Sequence, residues 1–233
     1  MNGLFFTATD TGVGKTIVAA AVARVLRGQG RDCRVCKPVA TGASQINGRW
    51  LSEDTIRLGE GAGQTGEWEQ ITPWTFAEPV APPVAARLAG VVLTLNALVA
   101  AVRNRYQPGS VVLVEGVGGL LCPLTERETI ADLAVALGLP LIVVTRRSLG
   151  TLNHTLLTLE AARTRGLSVA GIVVNETAPA TTVADRTNVE ELARRTSIPI
   201  LAVVPYQDKS PVDVSPALAQ VDWWRLGHAS PGS

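Results

Sequence analysis

Short apolar runs alternate with stretches of helical periodicity along most of this chain. Several of the runs are rich in Val, Ile and Leu and lack a clean alternation of polar and apolar positions. Such runs are typical of strands that are buried on both faces, as in a parallel sheet. The predicted strands span residues 4–8, 33–39, 110–116, 140–146, 169–175 and 198–205.

Helical patterns fill the intervals between these strands, and several of them end at a glycine, which often terminates a helix. The predicted helices span residues 15–28, 94–106, 129–137, 151–165 and 185–196. The repeated order of strand, helix and strand predicts an α/β fold, with a mostly parallel β-sheet flanked by helices on both faces. We expect a single domain over residues 1–233, in which residues 208–233 form a poorly assigned tail.

Two further segments have distinctive compositions. Residues 59–66, GEGAGQTG, predict a flexible loop because glycine dominates them. Residues 84–102 form the most apolar window, but Arg87, Gly90 and Asn96 interrupt it. This window predicts a helix, a bend and a second helix packed on the core, rather than a membrane span.

Composition and charge narrow the class of protein. Apolar residues make up 46% and charged residues 18% of the chain, which fits a folded protein. The net charge is +1 without long charged runs, so we expect neither a nucleic acid nor a membrane as partner. The three cysteines suit a reducing compartment, and we expect a cytoplasmic location. Cys33 and Cys36 fall on opposite faces of a predicted strand, which favours structural thiols over a redox pair.

The segment TATDTGVGKT joins the first predicted strand to the first predicted helix. It departs from the usual phosphate-loop (P-loop) pattern, because Thr9 stands where that pattern has a glycine. Backbone N–H groups of a glycine-containing loop and a helix N-terminus still suit an anion. Lys15 can reach the β- and γ-phosphates, and the Thr16 hydroxyl can bind Mg²⁺. The segment therefore predicts a P-loop NTPase-like fold and a nucleotide site; a glycine turn with a solvated lysine is the alternative.

Three charged residues are further candidates for this site. Glu115 ends a predicted strand, where a carboxylate can meet Mg²⁺, although it could also face water. Asp54 is equally compatible with a metal ligand and with a helix N-terminal cap. Lys37 ends another predicted strand next to Pro38, where it could neutralise charge on a transferred phosphoryl group, or remain a surface lysine.

Several segments together resemble the dethiobiotin synthetase family. They are TATDTGVGKT, CKPVATG, PWTFAEPVAPPVAA, LVEGVGGLLCPL, LGTLNHTLLTLEAARTRGL and GIVVNE, and they run in order from about residue 4 to residue 206. The resemblance implies a homodimer that uses MgATP, CO₂ and 7,8-diaminopelargonate. One amine is carboxylated to a carbamate, which attacks the γ-phosphate. The neighbouring amine then attacks the carbamic–phosphoric anhydride and closes the ring of dethiobiotin, releasing ADP and phosphate.

The resemblance also implies roles for individual residues. Catalytic roles are implied for Lys37, Lys15 and Thr11. Nucleotide contacts are implied for Gly12, Val13, Gly14, Lys15, Thr16, Asn175, Pro205 and Tyr206. Substrate contacts are implied for Thr41, Gly118, Gly150, Thr151, Leu152 and Asn153, the last four forming a carboxylate cradle that the partner subunit contributes across the dimer interface. Metal ligands are implied at Thr16, Asp54 and Glu115.

The chain also departs from the family pattern, and other functions compete with this one. Ala8 and Gly12 replace a usual glycine and an occasional carboxylate, and Tyr206 stands where tryptophan is more common. The competing hypotheses are another P-loop amide ligase and a nucleotide-dependent switch or partitioning ATPase. Asp10 and Thr11 occupy the region where partitioning ATPases carry an extra lysine, and the chain has no convincing Cys-His nucleophile pair for amidotransfer.

Overall fold

The computed structural model describes residues 1–206 and 216–229. In that part of the chain the strands are β1 (Gly3–Ala8), β2 (Cys33–Cys36), β3 (Val39–Ala40), β4 (Ser44–Ile46), β5 (Arg49–Leu51), β6 (Trp74–Thr75), β7 (Val111–Glu115), β8 (Leu141–Arg146), β9 (Val169–Asn175) and β10 (Ile200–Val204). The helices are α1 (Lys15–Gly28), α2 (Glu53–Ala62), α3 (Trp68–Ile71), α4 (Pro82–Leu88), α5 (Leu95–Arg105), α6 (Ile130–Leu137), α7 (Thr151–Thr164), α8 (Val183–Arg195), α9 (Pro216–Ala219) and α10 (Trp223–His228).

The main sheet has six parallel strands in the order β10-β9-β8-β1-β7-β2. Two small sheets lie apart from it, a parallel pair of β3 and β6 and an antiparallel hairpin of β4 and β5. Because the six main strands are parallel, their carboxyl ends share one edge of the sheet. That edge carries the loop between β1 and α1, so the topology gathers the predicted site residues there.

The core lies on both faces of the sheet, as predicted. β1 is buried along its whole length, and its alternating side chains point to opposite faces. Leu4 and Phe6 pack in one apolar cluster with α1, whereas Phe5 packs in another with residues of α5 and α6. The α/β fold with helices on both faces is therefore confirmed.

Part of the predicted tail contributes to this core. Trp223 of α10 is buried in the cluster on the α1 face, and its indole Nε1 donates to the Leu218 carbonyl at 2.7 Å. This burial explains why apolar residues persist near the end of the chain. Residues 208–215 and 230–233 of the predicted tail lie outside the described residues.

The second strand is shorter than predicted. β2 ends at Cys36, and Lys37 donates its backbone N–H to the Ile71 carbonyl at 2.8 Å instead of to a strand of the main sheet. Pro38 has no N–H to continue a ladder, which accounts for the break. Cys33 and Cys36 pack in the clusters on opposite faces of the sheet, as predicted, and neither is in a disulfide.

The prediction of a loop over residues 59–66 is wrong in its first half. α2 continues to Ala62, and both Gly59 and Gly61 are buried within it. A Cβ on Gly61 would lie 2.4 Å from the Ala20 carbonyl oxygen of α1. The glycines therefore serve the close approach of two helices, rather than chain flexibility.

The apolar window 84–102 forms two helices, α4 and α5, on either side of a turn, as predicted. Helices α5, α6 and α8 each begin one residue after a threonine, namely Thr94, Thr129 and Thr182, and these threonines cap the helix N-termini. Neither 1–206 nor 216–229 contains a helix long and apolar enough to cross a membrane.

Candidate active site

A cavity of about 430 Å³ opens at the carboxyl edge of the sheet, between the phosphate loop and the N-terminal end of α2. Most of the predicted phosphate and metal residues meet there. The residues that line it are Asp10, Thr11, Gly12, Gly14, Lys15, Thr16, Ile17, Lys37, Thr41, Asp54, Arg57, Val117 and Gly118. Glu115 lies directly behind this wall, bonded to three of its members.

The phosphate loop is held against the end of β9. Asn175, the last residue of β9, donates from Nδ2 to the Val13 carbonyl at 2.9 Å. Gly14 has a φ of 87°, and a Cβ there would lie 2.1 Å from that amide nitrogen. Glycine is therefore required at position 14 both by backbone conformation and by space.

The N-terminus of α1 is arranged to receive an anion. No side chain caps the helix, and its first turn contains no acidic residue. The leading N–H groups of a helix lack intrahelical acceptors and carry a partial positive charge. Since the helix begins at Lys15 on the cavity wall, these donors suit a phosphate group.

Glu115 is the centre of a buried ion cluster. Its Oε1 accepts hydrogen bonds from Lys15 Nζ at 2.9 Å, from Lys37 Nζ at 2.7 Å and from Thr16 Oγ1 at 2.8 Å. Lys37 Nζ also lies 2.6 Å from Asp54 Oδ2. The side chain of Lys37 is 3% exposed and that of Glu115 is 0% exposed, so neither is a solvated surface charge.

The cluster shifts the pKa values of its members in different directions. Burial alone would lower the pKa of Lys37, but the charges of Glu115 and Asp54 outweigh burial and raise that pKa. For Lys15 burial dominates and lowers the pKa, despite the nearby Glu115. Burial would raise the pKa of Asp54, but Lys37 outweighs it and the pKa falls. Two lysines thus face two carboxylates, and the cluster is close to electrically neutral.

The three predicted metal ligands lie around this cluster. Thr16 bonds directly to Glu115, and Asp54 is joined to both through Lys37. The second carboxylate oxygen of Glu115, Oε2, is buried and lacks a hydrogen-bond partner. Oxygen donors of this kind suit Mg²⁺, which usually combines one or two protein carboxylates with phosphate oxygens and water. The residues present therefore fit a magnesium ion that is bound together with a nucleotide.

Thr9 has a function in the loop that glycine could not perform. Its hydroxyl donates to Thr145 Oγ1 at 3.1 Å, and Thr145 in turn bonds with Thr151 at 2.7 Å and accepts from Thr155 at 3.0 Å. This buried hydroxyl network connects the phosphate loop to the first turns of α7. The departure from the usual loop pattern is thereby explained.

The predicted carboxylate cradle lies apart from the phosphate cavity. Gly150 precedes α7, and this helix start also has no side-chain cap and no acidic residue in its first turn. None of Gly150, Thr151, Leu152 and Asn153 lines the cavity around the phosphate loop of the same chain. Asn153 instead lines a separate cavity of about 680 Å³, which lies along α7 and the end of α8 and is lined by both apolar and polar residues.

The predicted base-binding residues lie on the same edge of the sheet but beyond the cavity. Asn175 is buried, whereas Pro205 and Tyr206 follow β10 and are exposed. The backbone N–H of Tyr206 donates to Glu176 Oε2 at 3.1 Å, and Glu176 forms an ion pair with Arg147. Asn175 therefore connects the phosphate loop with the predicted base-binding residues, because its amide contacts the loop.

The structure adds polar residues that sequence reasoning missed. Arg57 lines the cavity one turn after Asp54 on α2, and the spacing of three residues on one helix face is the signal that could have indicated it. Its ion pair with Glu53, at 3.7 Å, is largely exposed. Asp10 accepts from the Thr11 N–H at 2.7 Å and pairs with Arg146 at 3.2 Å, which fixes the entry of the loop.

The fold and the site define a P-loop nucleotide-binding protein. A family model described as an AAA domain matches residues 2–211. The solved structure of the septum site-determining protein MinD from Pyrococcus horikoshii OT3, complexed with Mg-ADP, superposes with a TM-score of 0.58 at 18% identity, and the match covers 100% of this chain and 91% of that one. At this identity the likeness supports the fold alone.

Closer relatives define the family. The ATP-dependent dethiobiotin synthetase BioD of Anaeromyxobacter dehalogenans strain 2CP-C is 48% identical over 207 residues, covering 89% of this chain and 91% of the relative. The protein of the same name from Aromatoleum aromaticum is 43% identical over 202 residues, covering 87% and 89%. The chain belongs to the ATP-dependent dethiobiotin synthetase family, and the resemblance predicted from the sequence is confirmed.

Proposed function

We propose that this protein uses ATP, CO₂ and 7,8-diaminopelargonate to form dethiobiotin, ADP and phosphate. Family membership over most of the chain supports the overall reaction. The observation that carries the chemistry is the cluster of Lys15, Lys37 and Glu115 beside an open cavity at the phosphate loop. The cluster holds two ammonium groups in place beside the cavity, where two anions must meet.

The reaction brings an anionic carbamate against an anionic γ-phosphate. Two unit charges of one sign about 4 Å apart repel each other by about 4 kcal/mol at an effective dielectric constant of about 20. Lys15 and Lys37 can offset this repulsion because both ammonium groups border the cavity. Lys15 donates to Glu115, and Lys37 donates to Glu115 and Asp54, so each of the two ammonium groups has a further donor for a phosphate oxygen.

Magnesium would be held by Thr16, Asp54 and Glu115 together with the phosphates. When bound, it would neutralise phosphate charge during transfer. The unpartnered Oε2 of Glu115 is a ready ligand atom, and the other oxygen would remain available to Thr16 and the lysines. The backbone N–H groups of Gly12, Val13 and Gly14, with the start of α1, would orient the β- and γ-phosphates.

The chemical steps are those that the family resemblance implies. The carbamate oxygen attacks the γ-phosphorus while the bond to the β-phosphate oxygen breaks, and ADP leaves. The neighbouring amine attacks the carbonyl carbon of the anhydride, the C–O bond to phosphate breaks, and the amine proton passes to a phosphate oxygen. Thr41 and Gly118 both line the cavity, where they would contact the carbamate. Thr11 and Lys15 would follow the γ-phosphate, and Lys37 the group that bridges it to the carbamate.

We further propose a homodimer in which the cradle at Gly150–Asn153 serves the partner's cavity. These residues lie outside the phosphate cavity of their own chain, and in this proposal a second subunit brings them to the substrate. Leu157 lines the cavity that contains Asn153 and is 60% exposed, and Leu149, which directly precedes the cradle, is 83% exposed. An exposed apolar surface of this kind favours association with a second copy of the chain.

Mixed dimers test this arrangement directly. Lys37→Ala and Asn153→Asp should each be nearly inactive alone, the second because a carboxylate would repel the substrate carboxylate. When equal amounts of the two variants are unfolded and refolded together, about half of the dimers should be mixed. One of the two sites in each mixed dimer would be intact, so activity should return to about a quarter of the wild-type value. A site contained within one chain would give no recovery.

We propose that Asn175, Pro205 and Tyr206 contact the adenine, and that the protein works in the cytoplasm. An amide can pair with the acceptor and donor of the adenine edge, and an aromatic ring can stack on the base. The cytoplasmic location is supported by three cysteines that form no disulfide. We expect neither a nucleic acid nor a membrane as partner.

The experiment that tests the function is ring closure with purified protein. Diaminopelargonate, bicarbonate and MgATP should yield dethiobiotin and ADP in equal amounts, measured by mass spectrometry and a coupled ADP assay. Omission of the diamine should reduce ADP formation to background. ATP hydrolysis that ignored the diamine and gave no ring product would instead favour a nucleotide-dependent switch.

A further inference from the structure

Two side chains at the carboxyl ends of β8 and β9 form an ion pair that the proposed reaction does not use. Arg147 follows β8, and Glu176 follows β9. Arg147 Nη1 donates to Glu176 Oε1, and the two side chains are 21% and 12% exposed. Exposed ion pairs at the surface contribute little to protein stability, and this pair differs from them because it is largely buried.

The pair joins several segments that end at the same edge of the sheet. The Arg147 Nε donates to the carbonyl of Asp185 in α8, and the Arg147 backbone N–H donates to the Asn175 carbonyl at 3.1 Å. The Glu176 backbone N–H donates to the Val204 carbonyl at 2.9 Å. These contacts fix the orientation of both side chains relative to β9 and β10.

The second oxygen of Glu176 extends this arrangement to the segment Pro205–Tyr206. Glu176 Oε2 accepts from the Tyr206 backbone N–H at 3.1 Å, while Oε1 is bonded to Arg147. β10 ends at Val204, so the backbone of Tyr206 lies beyond the ladder of the main sheet. A charged acceptor holds such an N–H more strongly than a neutral one.

The neighbouring residue Asn175 relates this segment to the phosphate loop. It precedes Glu176 in the chain and donates to the Val13 carbonyl at 2.9 Å. Two consecutive residues thus connect the phosphate loop with Tyr206. Asn175 contacts the loop, and Glu176 contacts Tyr206. A nucleotide with its phosphates in the loop would meet Pro205–Tyr206 in a position that depends on Glu176.

We propose that Arg147 and Glu176 are positioning residues that hold Pro205–Tyr206 for contact with the nucleotide base, and so set the part of ATP affinity that depends on the base. The inference rests on the proposed function, because it takes the base to lie at this segment. Neither residue touches the reacting atoms. Their effect is on the binding of ATP and on the discrimination between bases.

The test compares ATP with a triphosphate that has no base. Dissociation constants for MgATP and for magnesium tripolyphosphate are measured by calorimetry on the wild type, Glu176→Ala and Glu176→Gln, together with KM for ATP and kcat. Glu176→Ala should weaken ATP binding and raise KM by up to about fivefold, the loss expected without the base contact, while kcat changes less than about twofold. The affinity for tripolyphosphate should not change, because the phosphate loop keeps its own contacts.

Glu176→Gln retains an oxygen that can accept from the Tyr206 N–H, so it should recover most of the ATP affinity. Glu126→Ala is the control, since it removes the exposed pair with Arg87, whose N–O distance is 2.8 Å. It should match the wild type with both ligands. If Glu176→Ala fails to fold, Glu176→Gln and Arg147→Lys carry the test, each with an ATP-specific loss of about twofold.

Two results would overturn the inference alone. One is an equal loss of ATP and tripolyphosphate affinity, which would mean general support of the fold. The other is a set of variants that bind ATP like the wild type. If the wild-type protein bound tripolyphosphate as tightly as ATP, the base would contribute no affinity. That result would overturn both this inference and the proposed base site.

Discussion

The phosphate half and the base half of the candidate nucleotide site are built differently. In the phosphate half Lys37 and Glu115 are almost wholly buried and bonded to each other. In the base half Tyr206 is 37% exposed and lies beyond the end of a strand. Charged groups can be buried here because they are paired, which also fixes them in place. We therefore expect the phosphates to account for most of the binding and catalysis, and the base for a modest increment.

The largest effect should come from the buried lysine that the sequence placed at the end of a strand. Lys37→Ala should lower kcat by about 1000-fold, because a charge aimed at the transferred group is lost. ATP should still bind, since Lys15 and the loop remain. Turnover is measured by dethiobiotin formation and binding by calorimetry, with circular dichroism to establish folding because removal of one buried partner can destabilise the protein.

Arg34→Ala is the matched control for this lysine. Arg34 lies on β2, three residues before Lys37, but its side chain pairs at the surface with Asp32 at 3.1 Å. Its removal should leave kcat unchanged. Wild-type turnover by the Lys37→Ala variant would show that the charge of Lys37 is not needed for catalysis.

A second prediction separates the metal from the lysines. Glu115→Ala should raise the magnesium concentration needed for half-maximal activity by at least about tenfold. It should not weaken the binding of ATP without metal, because Lys15 and Lys37 lose a competing acceptor. An unchanged magnesium titration would show that Glu115 is not a metal ligand.

Two glycines of the loop make a matched pair. Gly14→Ala introduces both a strained φ of 87° and a Cβ 2.1 Å from Asn175 Nδ2, and it should weaken ATP binding about 30-fold. Gly12 has a similar φ of 75° but open space around its Cβ position, so Gly12→Ala should cost about fivefold. Equal losses in the two variants, measured by calorimetry, would argue against the contact between the loop and Asn175.

The smallest effect should come from the base half. Tyr206→Ala should raise KM for ATP about fivefold through the loss of stacking, with kcat unchanged. Tyr206→Phe keeps the ring and should resemble the wild type. A loss as large as that of Lys37→Ala would reverse the comparison between the two halves.

The sequence predicted the main sheet well because buried parallel strands leave a clear apolar pattern. It also placed Lys37 and Glu115 correctly at strand ends, and parallel topology then brings those ends together. The actual bonds among Lys15, Lys37, Asp54 and Glu115 depend on side-chain geometry, which no residue pattern specifies. The 2.6 Å contact between Asp54 and Lys37 is an example, because nothing in the sequence pairs these two residues.

The region from 44 to 62 was predicted poorly for two reasons. The glycines of α2 indicate a loop unless the neighbouring helix is known, because only Ala20 explains the absence of a side chain at Gly61. The hairpin of β4 and β5 went unnoticed, although its turn, Asn47–Gly48, is a typical hairpin signal. Arg57 and Arg147 were missed because an arginine in a sequence does not reveal which cavity or carboxylate it will meet.

The transfer of the γ-phosphoryl group to the carbamate is the central claim, and an oxygen label follows it directly. Wild-type protein is given ATP, diaminopelargonate and CO₂ labelled with ¹⁸O, and the released phosphate is analysed by mass spectrometry within the first turnovers. One labelled oxygen in each phosphate is expected, because the carbamate oxygen that attacks phosphorus leaves with it. Phosphate that carries no label while dethiobiotin accumulates would contradict the account.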